Sequence, residues 1–185
     1  MVDDVLAEAE SKMDKSVEAL SRELTSIRTG RANPALIDRV MVPYYGTPTP
    51  LNQLAGISAP EARMLLVQVY DRSQIGAIEK AIRTAEMGLN PSNDGTVIRV
   101  PIPPLTEERR REYVKIAKQK AEEARVSIRN IRRDENHRIQ QREKEGELSA
   151  DAAKNAQETL QKITDSHVHQ VDAMAARKEA EVMEV

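Results

Sequence analysis

The chain has 185 residues, with 28 Lys and Arg against 30 Asp and Glu, no Cys, no Trp, no Phe and four Tyr. Such a length makes one or two domains, and a hydrophobic content of 39% supports a core that has to be aliphatic. The lack of cysteine excludes a disulfide scaffold, a thiol nucleophile and any Cys-ligated zinc or iron–sulfur site, and a net charge of −2 argues against a generic polyanion binder until the charges are mapped.

All nine prolines lie between Pro34 and Pro104, and six of the seven glycines between Gly30 and Gly95. Pro and Gly punctuate local structure, so their crowding in the middle and near absence from both ends predict two architectures. In residues 1 to 29, Val2, Leu6, Ala9, Met13, Val17, Leu20, Leu24 and Ile27 step by three and four, which predicts one amphipathic helix. Residues 31 to 104 carry short apolar runs bounded by Gly, Pro, Asn and Asp, at Val40–Val42, Met64–Tyr70 and Val97–Val100, the mark of strands. Tyr45 to Pro50, with alternating prolines, is expected to be a turn or hairpin tip. Between Ser73 and Met87, Ile75, Ile78, Ala81, Ile82 and Ala85 predict a helix after a Ser cap, ended by Gly88.

Thr106 followed by Glu107 and Glu108 supplies an N-cap and two carboxylates for a second long helix, with no breaker before Gly146. Its stripe is Tyr113, Ala117, Ala121, Ala124, Ile128 and Ile131. Ser149 and Asp151 restart a third helix with the stripe Ala156, Leu160, Ile163, His167, Val171 and Met174. The fold class is therefore α+β: an elongated three-helix bundle, residues 1–30 and 105–185, interrupted by a small mixed α/β, β-rich domain, residues 31–104. Hinges are expected near 30–34 and 101–105, at Gly30, Pro101, Pro103 and Pro104.

The charge is unevenly spread. Arg109 to Lys144 hold thirteen basic and six acidic residues, a net of +7, whereas residues 1 to 29 carry −3 and residues 145 to 185 carry −5. Arg125, Arg129, Arg132 and Arg133 stand at i, i+4, i+7 and i+8 and share a helix face. They are either a solvated face paired with acids of the neighbouring helices or a ridge that contacts phosphates, for which the planar guanidinium is suited. Tyr113 is the bundle's one aromatic, so a nucleic-acid partner would be read through phosphate, sugar and shape, as folded RNA is, and not by stacking.

Catalytic signals fail. His137, His167 and His169 are the only histidines; two residues apart on a helix, the last pair diverges by about 200°, and His167 falls on an apolar stripe where a core histidine is the ordinary reading. No phosphate-binding glycine loop or nucleophile elbow is present, so no catalytic residue, metal or cofactor is expected. No apolar run is long enough to span a membrane and the opening Met1-Val2-Asp3-Asp4 is acidic, so the expectation is a cytoplasmic protein with no membrane partner.

Arg28-Thr29-Gly30-Arg31-Ala32, Tyr44 to Leu51, Asp71-Arg72-Ser73, Gly88-Leu89-Asn90-Pro91, Ile98 to Pro101, Leu105 to Arg110 and Arg129-Asn130-Ile131-Arg132-Arg133 together resemble the ribosome recycling factor family, in order across residues 1 to 185. The resemblance implies an L-shaped monomer of about tRNA dimensions that enters the ribosome after termination and, with elongation factor G and GTP, splits the subunits. It implies large-subunit rRNA contacts for Arg129, Arg132 and Arg133, with Arg28 and Arg31 as companions, and an inserted domain facing elongation factor G and the small subunit. The bundle tip at Lys144-Glu145-Gly146 would approach the peptidyl-site RNA. The rival from another class is a non-catalytic, chaperone-like helical bundle whose arginines are internal salt-bridge partners.

Overall fold

The computed structural model describes residues 2–85 and 87–184. Met1 and Val185, at the outer bounds expected for the bundle, and Glu86, inside the expected span of the insert helix, lie outside the described residues. The chain divides into two compact units, Met1–Ile27 with Glu112–Ala180, and Arg28–Arg111 with Glu181–Val185.

The first unit is built from α1 (Asp3–Thr25) and from most of α4 (Glu107–Lys144) and α5 (Ala150–Met183). At 1.5 Å per residue, the 38 residues of α4 extend about 57 Å and the 34 of α5 about 51 Å. The ends are specified locally. Thr106 Oγ1 accepts from the Arg109 N–H at 3.2 Å, and Ser149 Oγ from Ala152 N–H at 3.1 Å, both N-caps of the expected kind. At the other end of α4, Gly146 takes φ +76°, and Gly146 and Glu147 N–H donate to the carbonyls of Glu143 and Arg142, a Schellman closure that a side chain at that φ would strain.

The buried positions follow the expected stripes with shifts. Val5, Ala9, Met13, Leu20, Leu24 and Ile27 are buried in the α1 segment, whereas Leu6 and Val17 are half-covered. On α4, Ala117, Ala121, Ala124 and Ile128 are buried, and the stripe then passes over half-buried Ile131 to Glu135 and Ile139. On α5 the core runs through Ala153, Ala156, Leu160, Thr164, His167, Val171, Ala175, Lys178 and Val182, leaving Ile163 and Met174 at its margin. Side-chain pairs Asp4–Arg142, Glu8–Arg138, Lys12–Glu135 and Glu23–Lys120 fix α1 antiparallel to α4.

In the second unit a four-stranded antiparallel sheet has the order β3-β4-β6-β5, and β1 and β2 form a separate hairpin. The strands are β1 (Met41–Tyr44), β2 (Thr47–Pro50), β3 (Ala55–Glu61), β4 (Met64–Val69), β5 (Ser92–Asn93) and β6 (Val97–Pro101), with short helices α2 (Leu51–Leu54) and α3 (Ile75–Thr84). Leu65, Val67, Ile98 and Val100 of the sheet share one aliphatic core with Val42, Leu51, Ile78 and Ile82.

Three strands match the expected runs, and the differences have physical reasons. The Tyr45–Pro50 segment is not only a tip: Thr47–Pro50 pairs as β2, and Pro48 stands opposite Pro43 in the register. Antiparallel ladders alternate bonded and non-bonded pairs, and the pairs next to the two-residue turn are bonded, so both prolines occupy positions that need no N–H. The turn itself has Tyr45 at φ +48° and Gly46 at φ +80°, the left-handed pair of a tight hairpin. Strand β3 contains Gly56 and Pro60 and lies at a sheet edge, where a register irregularity between Ser58 and Glu61 accommodates the proline. The cap near α3 is Asp71, whose Oδ1 accepts from Ser73 N–H at 3.0 Å; Ser73 itself lies in a 3-10 turn, and α3 ends at Thr84, short of Gly88.

Candidate RNA-contact face on the longest helix

The flank of α4 that faces α1 is an ionic seam. Arg142 makes a forked pair with Asp4, its Nη1 and Nη2 at 2.8 and 2.6 Å from the two carboxylate oxygens. Arg138 donates to Glu8 and, at 2.9 Å, to Glu135; Lys12 Nζ lies 2.9 Å from Glu8 and 3.0 Å from Glu135. Glu135 is fully buried on the core stripe. Two cations and two carboxylates balance there, which is how a charged group can occupy a heptad core position. The Arg142 hydrogen bond holds the Asp4 carboxyl far below the usual range, and bonds from Lys12 and then Arg138 lower Glu8. Lys12 is raised, first by Glu8 and then by Glu135.

The opposite flank differs residue by residue. Arg125 Nε is 2.7 Å from Asp172 of α5 and its Nη1 is 3.1 Å from Glu122. Burial opposes the Arg125 charge, but these two carboxylates outweigh it and raise the pKa. Arg129 reaches the same Glu122 only at 3.5 Å and is half exposed, at 51%. Arg132 donates to the neutral amide oxygen of Gln161 at 3.2 Å. Arg133 is exposed and makes no ion pair or side-chain hydrogen bond among the described residues. At 100° per residue Arg129, Arg132 and Arg133 fall within an arc of about 100°. Three guanidinium groups with at most one shared, distant carboxylate thus stand on one face, an arrangement that can take phosphate oxygens by charge-assisted hydrogen bonds.

The other two expected contacts lie in the second unit. Arg28 donates through Nη1 to Met87 O and through Nη2 to Pro103 O, each at 3.5 Å, while its Nε is buried with no partner among the described residues. Arg31 pairs with Glu184 at 2.6 Å on an exposed surface. Of the five arginines, the structure groups Arg129, Arg132 and Arg133, and engages Arg28 and Arg31 with backbone and carboxylate. Among the expected hinge residues, Pro101 is the last residue of β6 and pairs with Met64, and Gly30 takes no left-handed φ. Ala32 N–H donates to Ala62 O at 2.7 Å and Ile102 N–H to Arg63 O at 2.8 Å, so both connections are anchored on the β3–β4 turn.

His167 is buried, with Nδ1 2.7 Å from the Ile163 carbonyl oxygen and Nε2 2.7 Å from Asp14 Oδ1. It joins α5 to α1, as its place on the stripe predicts. Among the described residues no group of three or more His, Cys, Asp or Glu is arranged to hold a metal ion, and no helix is long and apolar enough to cross a membrane. The Glu8–Lys12–Glu135–Arg138 lattice is the feature that sequence reading misses. Its signal is the step of seven from Ile128, which lands on a glutamate where an apolar residue is expected.

Comparison with known proteins adds a lineage to this geometry. The family described as ribosome recycling factor matches residues 20–183. A ribosome-recycling factor of Halalkalibacterium halodurans is 56% identical over 185 residues, covering all of both chains. A solution structure of a ribosome recycling factor aligns over 100% of this chain and 98% of its own, with 44% identity and a TM-score of 0.79. The T. thermophilus ribosome recycling factor, described with E. coli elongation factor G bound to the E. coli post-termination complex, aligns over the whole of both chains with 47% identity and a TM-score of 0.70. On the family match and the full-length identity, the chain belongs to the ribosome recycling factor family.

Proposed function

We propose that this chain splits the post-termination ribosome into subunits together with elongation factor G and the GTP that factor hydrolyses, releasing them from mRNA for a new round of translation. The observation that carries the reading is its full-length likeness to a recycling factor described with elongation factor G on the post-termination complex. The first unit binds large-subunit rRNA through Arg129, Arg132 and Arg133, whose charge the bundle leaves largely unneutralised. The second unit faces elongation factor G and the small subunit. The protein works as a cytoplasmic monomer without a catalytic group or cofactor of its own, and the chemical energy comes from the partner's GTP.

Because residues 32 and 102 are fastened to the second unit, the hinge lies on the first-unit side of them, in residues 28–31, which include Gly30, and 103–111, which include Pro103 and Pro104. Arg28 and Arg31, engaged within the second unit, are weaker candidates for rRNA contact than the α4 group.

The test is subunit splitting by the purified protein, followed by light scattering. It is expected to require both elongation factor G and GTP; splitting without either, or none with both, overturns the proposal. Replacing Arg129, Arg132 and Arg133 by Gln is expected to reduce the slope of log K against log salt for large-subunit binding by about 2 to 3, one phosphate contact per arginine. A slope equal to that of the unsubstituted protein removes the arginine face from the reading. Within the group Arg125, Arg129, Arg132 and Arg133, the chaperone-like bundle is favoured only by Arg125, where two carboxylates consume the charge.

A further inference from the structure

The cations of α4 are sorted by flank, and the sorting extends beyond the arginine group. Lys120, Arg138 and Arg142, which face α1, each meet a carboxylate of that helix: Glu23, Glu8 and Asp4. On the outward flank, successive steps of 100° place Lys115 and Lys118 on the same arc as Arg129 and Arg133. Both lysines are exposed, and neither has an ion pair or side-chain hydrogen bond among the described residues. Between Lys118 and Arg129 the one acid of α4 on this arc is Glu122, and it is already shared between Arg125 and Arg129.

Exposed lysines are ordinary on any surface. What sets this pair apart is the company of like charge, on a flank opposite the one where Lys120, Arg138 and Arg142 are each matched by an acid of α1. Lys118 and Arg129 are eleven residues apart, about 16 Å along the axis. Between them lies the patch of Glu122, Arg125 and Asp172, two carboxylates against one cation. The face is therefore two positive clusters separated by a patch of net negative charge.

We infer that Lys115 and Lys118 form a second phosphate-contact site for folded RNA, so that α4 grips the large subunit at two points on one helix face. This rests on the proposed rRNA role of Arg129, Arg132 and Arg133 and adds to it a contact nearer the start of the helix. A lysine ammonium is a compact point charge, suited to phosphate oxygens without the planar fork of arginine, so this site contributes affinity and not sequence readout.

The experiment measures binding to purified large ribosomal subunits at four or more salt concentrations for four variants, each checked by thermal melting. K115Q/K118Q is expected to melt like the unsubstituted protein and to lose about 1.5 to 2 units of salt slope. K115R/K118R is expected to retain the slope, and K120Q, whose lysine faces Glu23 of α1, to leave it unchanged. A full slope in K115Q/K118Q, with a reduced one in the Arg129, Arg132 and Arg133 variant, overturns this inference and leaves the arginine contact standing. Full slopes in both overturn the two together. A loss in K120Q as large as that in K115Q/K118Q also overturns it, because charge removal anywhere on α4 would then suffice.

Discussion

Along one side of α4, Arg138 and Arg142 meet Glu8 and Asp4 of α1, and Lys12 of α1 closes on the buried Glu135. Along the other side Arg125 meets Asp172 of α5, Arg132 meets only the amide of Gln161, and Arg133 meets nothing among the described residues. The residue types on the two sides are the same. What differs is whether the helix opposite supplies a carboxylate within reach. A basic helix in a bundle is thus not one object: each cation's role is decided by the residue one helix away, and net charge does not reveal it.

The largest expected effect lies in the buried seam. Replacing Lys12 and Arg138 together by Met strands the Glu135 carboxylate without a counter-ion, and should cost about 3 kcal/mol in urea unfolding. Replacing Glu135 itself by Leu removes the desolvated charge and leaves two half-exposed cations that water and Glu8 can satisfy, so stability should change by no more than about 1 kcal/mol in either direction. If the two substitutions cost the same, the seam is held by packing and not by charge.

This lattice also marks where the sequence stops being legible. The stripe of Ala117, Ala121, Ala124 and Ile128 can be read from spacing because apolar residues recur on it, but a glutamate at the next core step looks like a surface residue until its partners 123 residues away in α1 are known. Caps could be read, since Thr106 and Ser149 act on backbone three residues ahead. The sheet was half legible. Strands β4 and β6 are continuous apolar runs, whereas β3 carries Gly56 and Pro60 at an edge, and the β1–β2 hairpin hides its prolines in non-bonded register, which only the pairing shows. For the candidate site, the spacing of the arginines was visible and their neutralisation was not, because Asp172 lies 47 residues from Arg125.

Arg125 tests the comparison at its boundary, being on the outward flank yet paired. Arg125→Ala should lower stability by about 0.5 to 1 kcal/mol, as expected for a partly exposed ion pair. Its charge is already spent, so the salt slope of large-subunit binding should hold, whereas Arg129→Ala should reduce it by about 1. A slope that falls equally in both variants would erase the distinction between paired and unpaired arginines.

Acid probes the flank that faces α1. Asp4 and Glu8 are held below their ordinary pKa values in the folded chain, Asp4 by Arg142 and Glu8 by Lys12 and then Arg138. Their contribution to stability is therefore fully present above the unfolded values, about 3.9 for Asp and 4.3 for Glu, and is lost as pH falls through the lower folded values. Melting temperature should drop more steeply below about pH 4 for the unsubstituted chain than for an Asp4→Asn, Glu8→Gln variant, which has less to lose. Parallel curves would mean that the seam carries no linked protons.

The smallest expected effect on stability is also the most informative. Arg133 has no carboxylate, no amide and no backbone acceptor among the described residues, so Arg133→Gln takes nothing from the fold and should leave the unfolding free energy within about 0.5 kcal/mol. It even relieves some repulsion from Arg129 and Arg132 nearby, so a slight gain is the expected sign. Yet the same substitution should remove about one unit of salt slope from large-subunit binding. A residue whose loss is silent in unfolding and audible in binding is one that the bundle does not use and a polyanionic partner does. Should Arg133→Gln instead destabilise the chain by more than about 1 kcal/mol, the outward flank belongs to the fold after all, and the two sides of α4 are the same in kind.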